Sequence, residues 1–317
     1  MVALKPRGLT LRSYAKLNLG LEVLGVREDG THELRTIFQS IDLHDVIGLR
    51  LLRRGIRLIC GHPALPKDEK NLAVRAAQEL LRRSGLDAGV EIRLEKRIPV
   101  AGGLGGGSSN AATVLHGLDL LLGLGLGSVG LDPIARRLGA DVPYFLQGGT
   151  ALGLARGDEI YPLHRQVDAH VVVVDPELPL STAAVFRRLD ATLTPRENGI
   201  TIFRFVSSDL EGRASFRALA NELERVALEE APDLAARARD IRRVLVGEGA
   251  LLAAMSGSGS TFFGLFEERR QAARASAALR RAGLRASLAR TVSLDRYRRS
   301  RVIRREGDWR LRGAERG

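Results

Sequence analysis

The stretch "RIPVAGGLGGGSSNAATVLHGLDLLLG", residues 97–123, constrains this chain more than any other. Just before it, residues 89–96 alternate strictly, with Val90, Ile92 and Leu94 on one face and Glu91, Arg93 and Glu95 on the other. That alternation predicts a half-buried strand. Just after it, Ala111, Ala112, Val114, Leu115 and Leu118 return at helical spacing, so a strand feeds a glycine loop that feeds a helix. Glycines let a backbone take φ above zero and turn its N–H groups around an anion. The helix that follows adds unpaired N–H donors and roughly half a unit of positive charge at its start. A phosphate fits such a loop. It is neither a Walker loop nor a dinucleotide fingerprint, since no Gly-x-x-x-x-Gly-Lys-Ser/Thr and no Gly-x-Gly-x-x-Gly can be placed on it. Ser108, Ser109 and Asn110 could instead simply cap the helix.

The remaining pattern mixes both kinds of element. Residues 11–24 and 37–51 read as strands, 71–84 as a helix stopped by Gly85, and 171–174 as a short buried strand. Further helices are predicted over 133–138, 215–228, 232–245 and 267–282, with a strand over 284–292. Residues 139–153, with paired glycines and Pro143, favour turns over regular structure. The expected class is α+β. A chain of 317 residues exceeds what one core usually serves, so two domains are expected, with a boundary near residue 165 drawn from pattern alone.

Charge invites a nucleic-acid reading, because the net charge is +12 and basic surfaces gain affinity for phosphate backbones by counterion release. Its location argues otherwise. Residues 296–317 hold nine arginines against Glu306, Asp308 and Glu315, so half the excess sits in the last 22 residues. No aromatic single-strand platform accompanies those arginines, and nucleic acid is not expected as a partner. No window is long and apolar enough to span a membrane, and residues 1–10 carry Lys5 and Arg7 without the apolar core of a secretory signal. A cytoplasmic location is expected, and the single Cys60, which excludes a disulfide framework, suits it.

Two further residues complete a chemical set. Only five of the 49 basic residues are lysines, and one of them, Lys16 in "SYAKLNLGL", falls on a predicted strand among apolar neighbours. Such a lysine either reaches out to solvent or is held near a negative charge. Asp141 in "LGADVPYF" could be a turn or cap residue. Together with a phosphate loop, however, a cation and a carboxylate are what phosphoryl transfer to an alcohol requires.

The successive motifs "AKLNLGLEVLGVREDGTHEL", "PVAGGLGGGSSNAA", "LGADVPYFLQGGTALG", "NELE" and "MSGSGSTFFG" resemble, in order, those of the GHMP kinases over about residues 11–292. Within that family they resemble most the members that phosphorylate a cytidyl-diphospho alcohol with ATP. The resemblance implies a ribosomal-S5-like ATP-binding domain over 1–165 and a ferredoxin-like domain over 166–292, with the active site between the domains, and leaves residues 293–317 as an arginine-rich tail without a counterpart in the family pattern. It implies that Asp141 is the catalytic base and Lys16 its partner. It places ATP on Pro99, Gly102, Gly103, Leu104, Gly105, Gly106, Gly107, Ser108, Ser109 and Asn110, with Asn71 and Lys96 near the adenine. It places the second substrate on Asn18, His32, Thr182, Phe186 and Gly257. The alternative readings are a helix cap for Asn71, a structural histidine for His32, core packing for Phe186 and a tight strand turn for residues 256–260. Magnesium is expected with ATP, and no carboxylate cluster marks its ligands. The family's tyrosine before the histidine is replaced here by Thr31. Other kinases of the family, acting on mevalonate or homoserine, are the alternative.

Overall fold

The computed structural model describes residues 8–190, 200–207, 216 and 218–305. A long hairpin dominates the first half. Strands β1 (Gly8–Val26) and β2 (His32–Leu52) pair antiparallel along their length, and the Asp29 carboxylate closes the turn between them by accepting the Thr31 N–H at 2.9 Å. Bulges after Tyr14, Asn18 and Val23 bend β1, which a strand of 19 residues needs in order to serve two layers.

β3 (Ile56–Cys60) and β4 (Gly89–Glu95) extend the sheet beside β2, parallel to each other and joined through α1 (Leu72–Ser84). Helix α2 (Gly106–Leu122) packs on this sheet and is enclosed by α1, α3 (Gly127–Leu138) and α4 (Val142–Gln147). Its flanks are apolar nearly all round, with Ala111, Val114, Leu115 and Leu118 all wholly buried. β5 (Thr150–Leu154) and β6 (Glu159–Pro162) attach to the far end of β2.

The second half is built on an antiparallel sheet ordered β10-β7-β9-β8, from β7 (His170–Asp175), β8 (Leu252–Met255), β9 (Phe262–Phe266) and β10 (Arg285–Arg290). The helices of this half are α5 (Thr182–Asp190), α6 (Ile200–Val206), α7 (Glu222–Glu230), α8 (Pro232–Gly247) and α9 (Arg269–Arg281). A core of Leu17, Leu19 and Ile37 with Val171, Val173 and Phe263 fills the space between the two sheets, so the halves are joined by apolar burial rather than by a linker. Among the described residues no helix is long and apolar enough to cross a membrane. Helices and strands in these proportions make the chain α+β, as expected.

The structure departs from the pattern in two places. Residues 139–153 do not remain turns: they form α4 and β5, because Val142, Tyr144 and Phe145 are wholly buried against the first core and Gly148 and Gly149 supply the positive φ between the two elements. The expected tail does not begin at 293 either. Residues Leu294–Ser300 form α10, and Val302–Arg305 form β11, which pairs antiparallel with β1 and adds a strand to the first sheet. Tyr297 inserts its ring over Gly148 and donates to the Phe145 carbonyl at 2.7 Å. The Arg301 guanidinium is buried and donates to the Ala112 carbonyl at 2.9 Å. Residues 306–317 of that segment, and residue 215 at the expected start of a helix now seen from Glu222, lie outside the described residues.

Candidate active site

The glycine loop takes the conformation its composition requires. Gly103 and Gly105 sit at φ +76° and +68°, and a Cβ at Gly103 would lie 2.1 Å from the Ser256 carbonyl oxygen. No residue with a side chain fits there. Helix α2 starts at Gly106 with Gly105 as its N-cap, so no side chain caps the first N–H groups. Ser108, Ser109 and Asn110 lie inside the helix and are therefore not its cap. Ser109 Oγ accepts from Ser13 Oγ at 2.8 Å, and Asn110 Nδ2 donates to Ser13 Oγ at 2.9 Å and to the Asp45 carboxylate at 2.8 Å.

Two cavities open on this loop. The first, about 330 Å³, is walled by the glycine loop from Pro99 to Ser108, by Asn110, and by Asn71, Lys96 and the Leu65–Pro66 turn. Asn71 does cap α1, accepting from the Ala73 N–H at 3.0 Å and donating to the Pro66 carbonyl at 2.9 Å, while still forming part of the wall. The second cavity, about 400 Å³, is walled by Lys16, Asn18, Asp141, Thr182, Phe186 and Gly257. Ala101, Gly103, Gly105 and Ser108 line both. The two cavities thus border the same loop.

In the second cavity, Lys16 is 4% exposed and its ammonium lies 3.4 Å from the Asp141 carboxylate and donates to Asn18 Oδ1 at 2.6 Å. The lysine therefore does not reach to solvent. Its own N–H donates to the Leu104 carbonyl at 3.0 Å, which ties β1 to the glycine loop. Asp141 occupies the N-cap position of α4 but makes no side-chain cap bond, so the carboxylate is left facing the cavity. Asn18 is in turn fixed by its Nδ2 donating to Thr36 Oγ1 at 2.9 Å.

A third loop, residues 256–260 between β8 and β9, braces the glycine loop. The Asn18 N–H donates to Ser256 Oγ at 3.3 Å and that hydroxyl donates to the Gly103 carbonyl at 3.1 Å. Gly257 has φ +58°, and a Cβ there would come within 3.1 Å of Asn18 Oδ1. Asn221, opening the "NELE" motif, holds this loop by donating to the Met255 and Gly257 carbonyls at 2.9 and 2.7 Å. Burial raises the Glu224 carboxyl above its ordinary range, against the pull of Arg242 and of the Met255 N–H it accepts.

At the outer end of the second cavity Phe186 faces the His32 ring, 4.6 Å between centroids, and His32 Nε2 meets the Asp190 carboxylate at 2.7 Å. Thr31 is engaged by Asp29 through its hydroxyl at 2.5 Å. Thr182 Oγ1 and Ser258 Oγ lie 2.8 Å apart, joining α5 to the third loop. All the residues singled out in the sequence thus border the two cavities except Ser109, which lies beneath the loop, and His32, which lies behind Phe186. Reading the sequence missed Arg156, which lines the second cavity and pairs with Asp158 at 2.7 Å. In a chain with 44 arginines nothing distinguished that one. It also missed Asp45, wholly buried under the loop. Among the described residues no cluster of three or more His, Cys, Asp or Glu side chains could hold a metal ion.

A glycine cradle at the junction of two such halves is the architecture of the GHMP kinases, and the family models for the GHMP kinases N-terminal domain and C-terminal domain match residues 71–149 and 209–284. A solved homoserine kinase from Cytophaga hutchinsonii superposes with a TM-score of 0.72 over 92% of this chain and 97% of its own, at 18% identity, a likeness of fold alone. A solved 4-(cytidine 5'-diphospho)-2C-methyl-D-erythritol kinase superposes with a TM-score of 0.73 over 89% of this chain and 99% of its own, at 37% identity. A curated 4-diphosphocytidyl-2-C-methyl-D-erythritol kinase of Geobacter metallireducens is 45% identical across 84% of this chain and 92% of its own length. At that identity and coverage the chain belongs to the 4-diphosphocytidyl-2-C-methyl-D-erythritol kinase family of the GHMP kinases.

Proposed function

We propose that this protein transfers the γ-phosphoryl group of ATP to the 2-hydroxyl of 4-diphosphocytidyl-2-C-methyl-D-erythritol, a step of non-mevalonate isoprenoid precursor synthesis. The observation that carries the reading is the glycine loop shared by two cavities, with Lys16 and Asp141 facing each other in the second. ATP lies in the first cavity, its adenine towards Asn71 and Lys96 and its phosphates on the loop N–H groups and the start of α2. The alcohol lies in the second. Asp141 accepts the hydroxyl proton as the new O–P bond forms and ADP leaves, and the Lys16 ammonium screens the incoming charge.

Asn18 orients Lys16, and Gly257 lets the third loop approach both. Phe186 and Thr182 form the wall for the cytidine end, with His32 backing Phe186 and Thr31 standing where family members carry a tyrosine beside the base. Arg156 supplies a cation at the same cavity, suited to the substrate diphosphate. Magnesium accompanies ATP. Among the described residues Asp141 is the one carboxylate walling either cavity, which fits an ion held mainly by phosphate oxygens and water, with Asp141 and the Ser108 hydroxyl as the protein groups beside it. Bound there, the ion neutralises the β and γ phosphates. We read residues 1–165 as the ATP-binding domain, completed by the returning strand β11, and 166–292 as the second domain, in a cytoplasmic enzyme.

The test is ADP release with the cytidyl-diphospho alcohol present and absent, set against mevalonate and homoserine. Turnover is expected only with the cytidyl substrate. Equal or faster turnover of mevalonate or homoserine would overturn the substrate assignment.

A further inference from the structure

Asp45 sits on β2 with no exposed surface, directly beneath the first cavity. A carboxylate offers about four lone-pair sites, and all four are filled. Oδ1 accepts the backbone N–H groups of Arg97 and Ile98 at 2.7 and 2.9 Å. Oδ2 accepts Asn110 Nδ2 at 2.8 Å and the Lys96 ammonium. The first two donors belong to the segment that enters the glycine loop and the third to the first turn of the helix that leaves it. The fourth is a cation in the cavity wall, beside Gly106.

We propose that Asp45 is a positioning residue for the phosphoryl donor, acting through Lys96 and the two ends of the glycine loop. The inference rests on the reading of the first cavity as the nucleotide site. A buried ion pair gives little stability relative to well-packed apolar residues, so a pair that also draws in two peptide N–H groups and an amide is built for geometry. The Lys96 stem could otherwise extend to solvent, as long lysine stems do when the ammonium is not held. Held by Asp45, its ammonium is nearly covered, with 6% of the side chain exposed, and stays where a nucleotide would meet it.

The experiment is a double-mutant cycle on the full chain with Asp45→Asn and Lys96→Met, reading KM for ATP and for the cytidyl-diphospho alcohol separately, with a thermal melt of each variant. Asp45→Asn turns an amide donor towards Lys96 or towards the loop N–H groups. The expected result is a rise in KM for ATP of roughly tenfold or more, as misplacement of a positioning group gives, with KM for the alcohol within about twofold and little further loss when Lys96→Met is added. Equal shifts in both KM values, or fully additive effects, overturn the proposal and leave Asp45 a folding residue. If Asp45→Asn alone does not fold, the double variant, which leaves no unpaired buried charge, is compared with Lys96→Met alone. Matching KM values for ATP support the proposal, and a worse KM for both substrates overturns it. A Lys96→Met variant with unchanged KM for ATP overturns the placement of the nucleotide beside Lys96, a failure distinct from one confined to Asp45.

Discussion

Replacing Asp141 with asparagine separates the chemistry of the site from its architecture. The side chain is about one-third exposed and makes no cap bond to α4, so the backbone should not register the change. What it loses is the charge opposite Lys16. At 3.4 Å the attraction amounts to about 5 kcal/mol for an effective dielectric of about 20. Partial exposure screens much of this and the desolvation of Lys16 offsets more, leaving a net stability loss on the order of 1 kcal/mol. The lysine keeps Asn18 Oδ1 as an acceptor at 2.6 Å. Removal of a general base, by contrast, costs on the order of 10² to 10⁴ in rate, equivalent to about 3–5 kcal/mol at the transition state. The Asp141→Asn variant should therefore melt close to the parent and bind ATP normally, while kcat in a coupled ADP-release assay falls by at least about two orders of magnitude. A kcat within tenfold of the parent, or a loss of rate that merely tracks a loss of folded protein, would refute the assignment.

Other perturbations probe the surrounding structure. Gly105→Ala forces a left-handed residue to carry a Cβ 2.7 Å from the Phe145 ring; it should lower stability by at least about 1–2 kcal/mol and raise KM for ATP, measured by melting and steady-state kinetics. Phe186→Ala removes the ring at the outer end of the second cavity and should raise KM for the cytidyl substrate by on the order of tenfold, more than the 0.5–1.5 kcal/mol of stacking alone, while KM for ATP holds. Tyr297→Ala empties a wholly enclosed site over Gly148 and should cost about 3–5 kcal/mol in denaturant unfolding, far more than an exposed tail residue could. Burial holds the His44 imidazole below its ordinary value of 6.5, so the unfolded chain takes up its proton first and stability falls as pH drops through about 6.5. His44→Asn should flatten that slope in melts from pH 7.5 to 5.

The elements that could be read from the sequence are those whose own residues state their environment. Helix α1 and strand β4 each set one apolar face against one core, so their apolar spacing survives in the chain as a 3.6 or 2 period, although Glu91 on the other face of β4 is buried as well, and α1 ends at Gly85 in the left-handed conformation that favours glycine. The glycine loop was legible for a similar reason: positive φ and close approach to Ser256 exclude every side chain, and that exclusion is written directly as composition. Residues 139–153 were misread because their glycines are separators between two short buried elements, α4 and β5, each too brief to show a period.

Composition, a strand–loop–helix pattern and the order of the motifs therefore determined the class of fold, the glycine loop and the pairing of one lysine with one aspartate. Tertiary structure decided the rest. Asp45 and Arg156 are single charged residues in a chain that is 27% charged, and only the folding of β2 beneath the loop gives Asp45 its partners and only the tertiary fold brings Arg156 to the second cavity. The arginine-rich C-terminal segment is the clearest case. By sequence it is a basic tail, yet Tyr297 and Arg301 are buried because β1 presents an open edge and Gly148 an open face. An edge strand is completed by whichever segment reaches it, and that depends on where the second half of the chain ends in space, a property no local pattern carries.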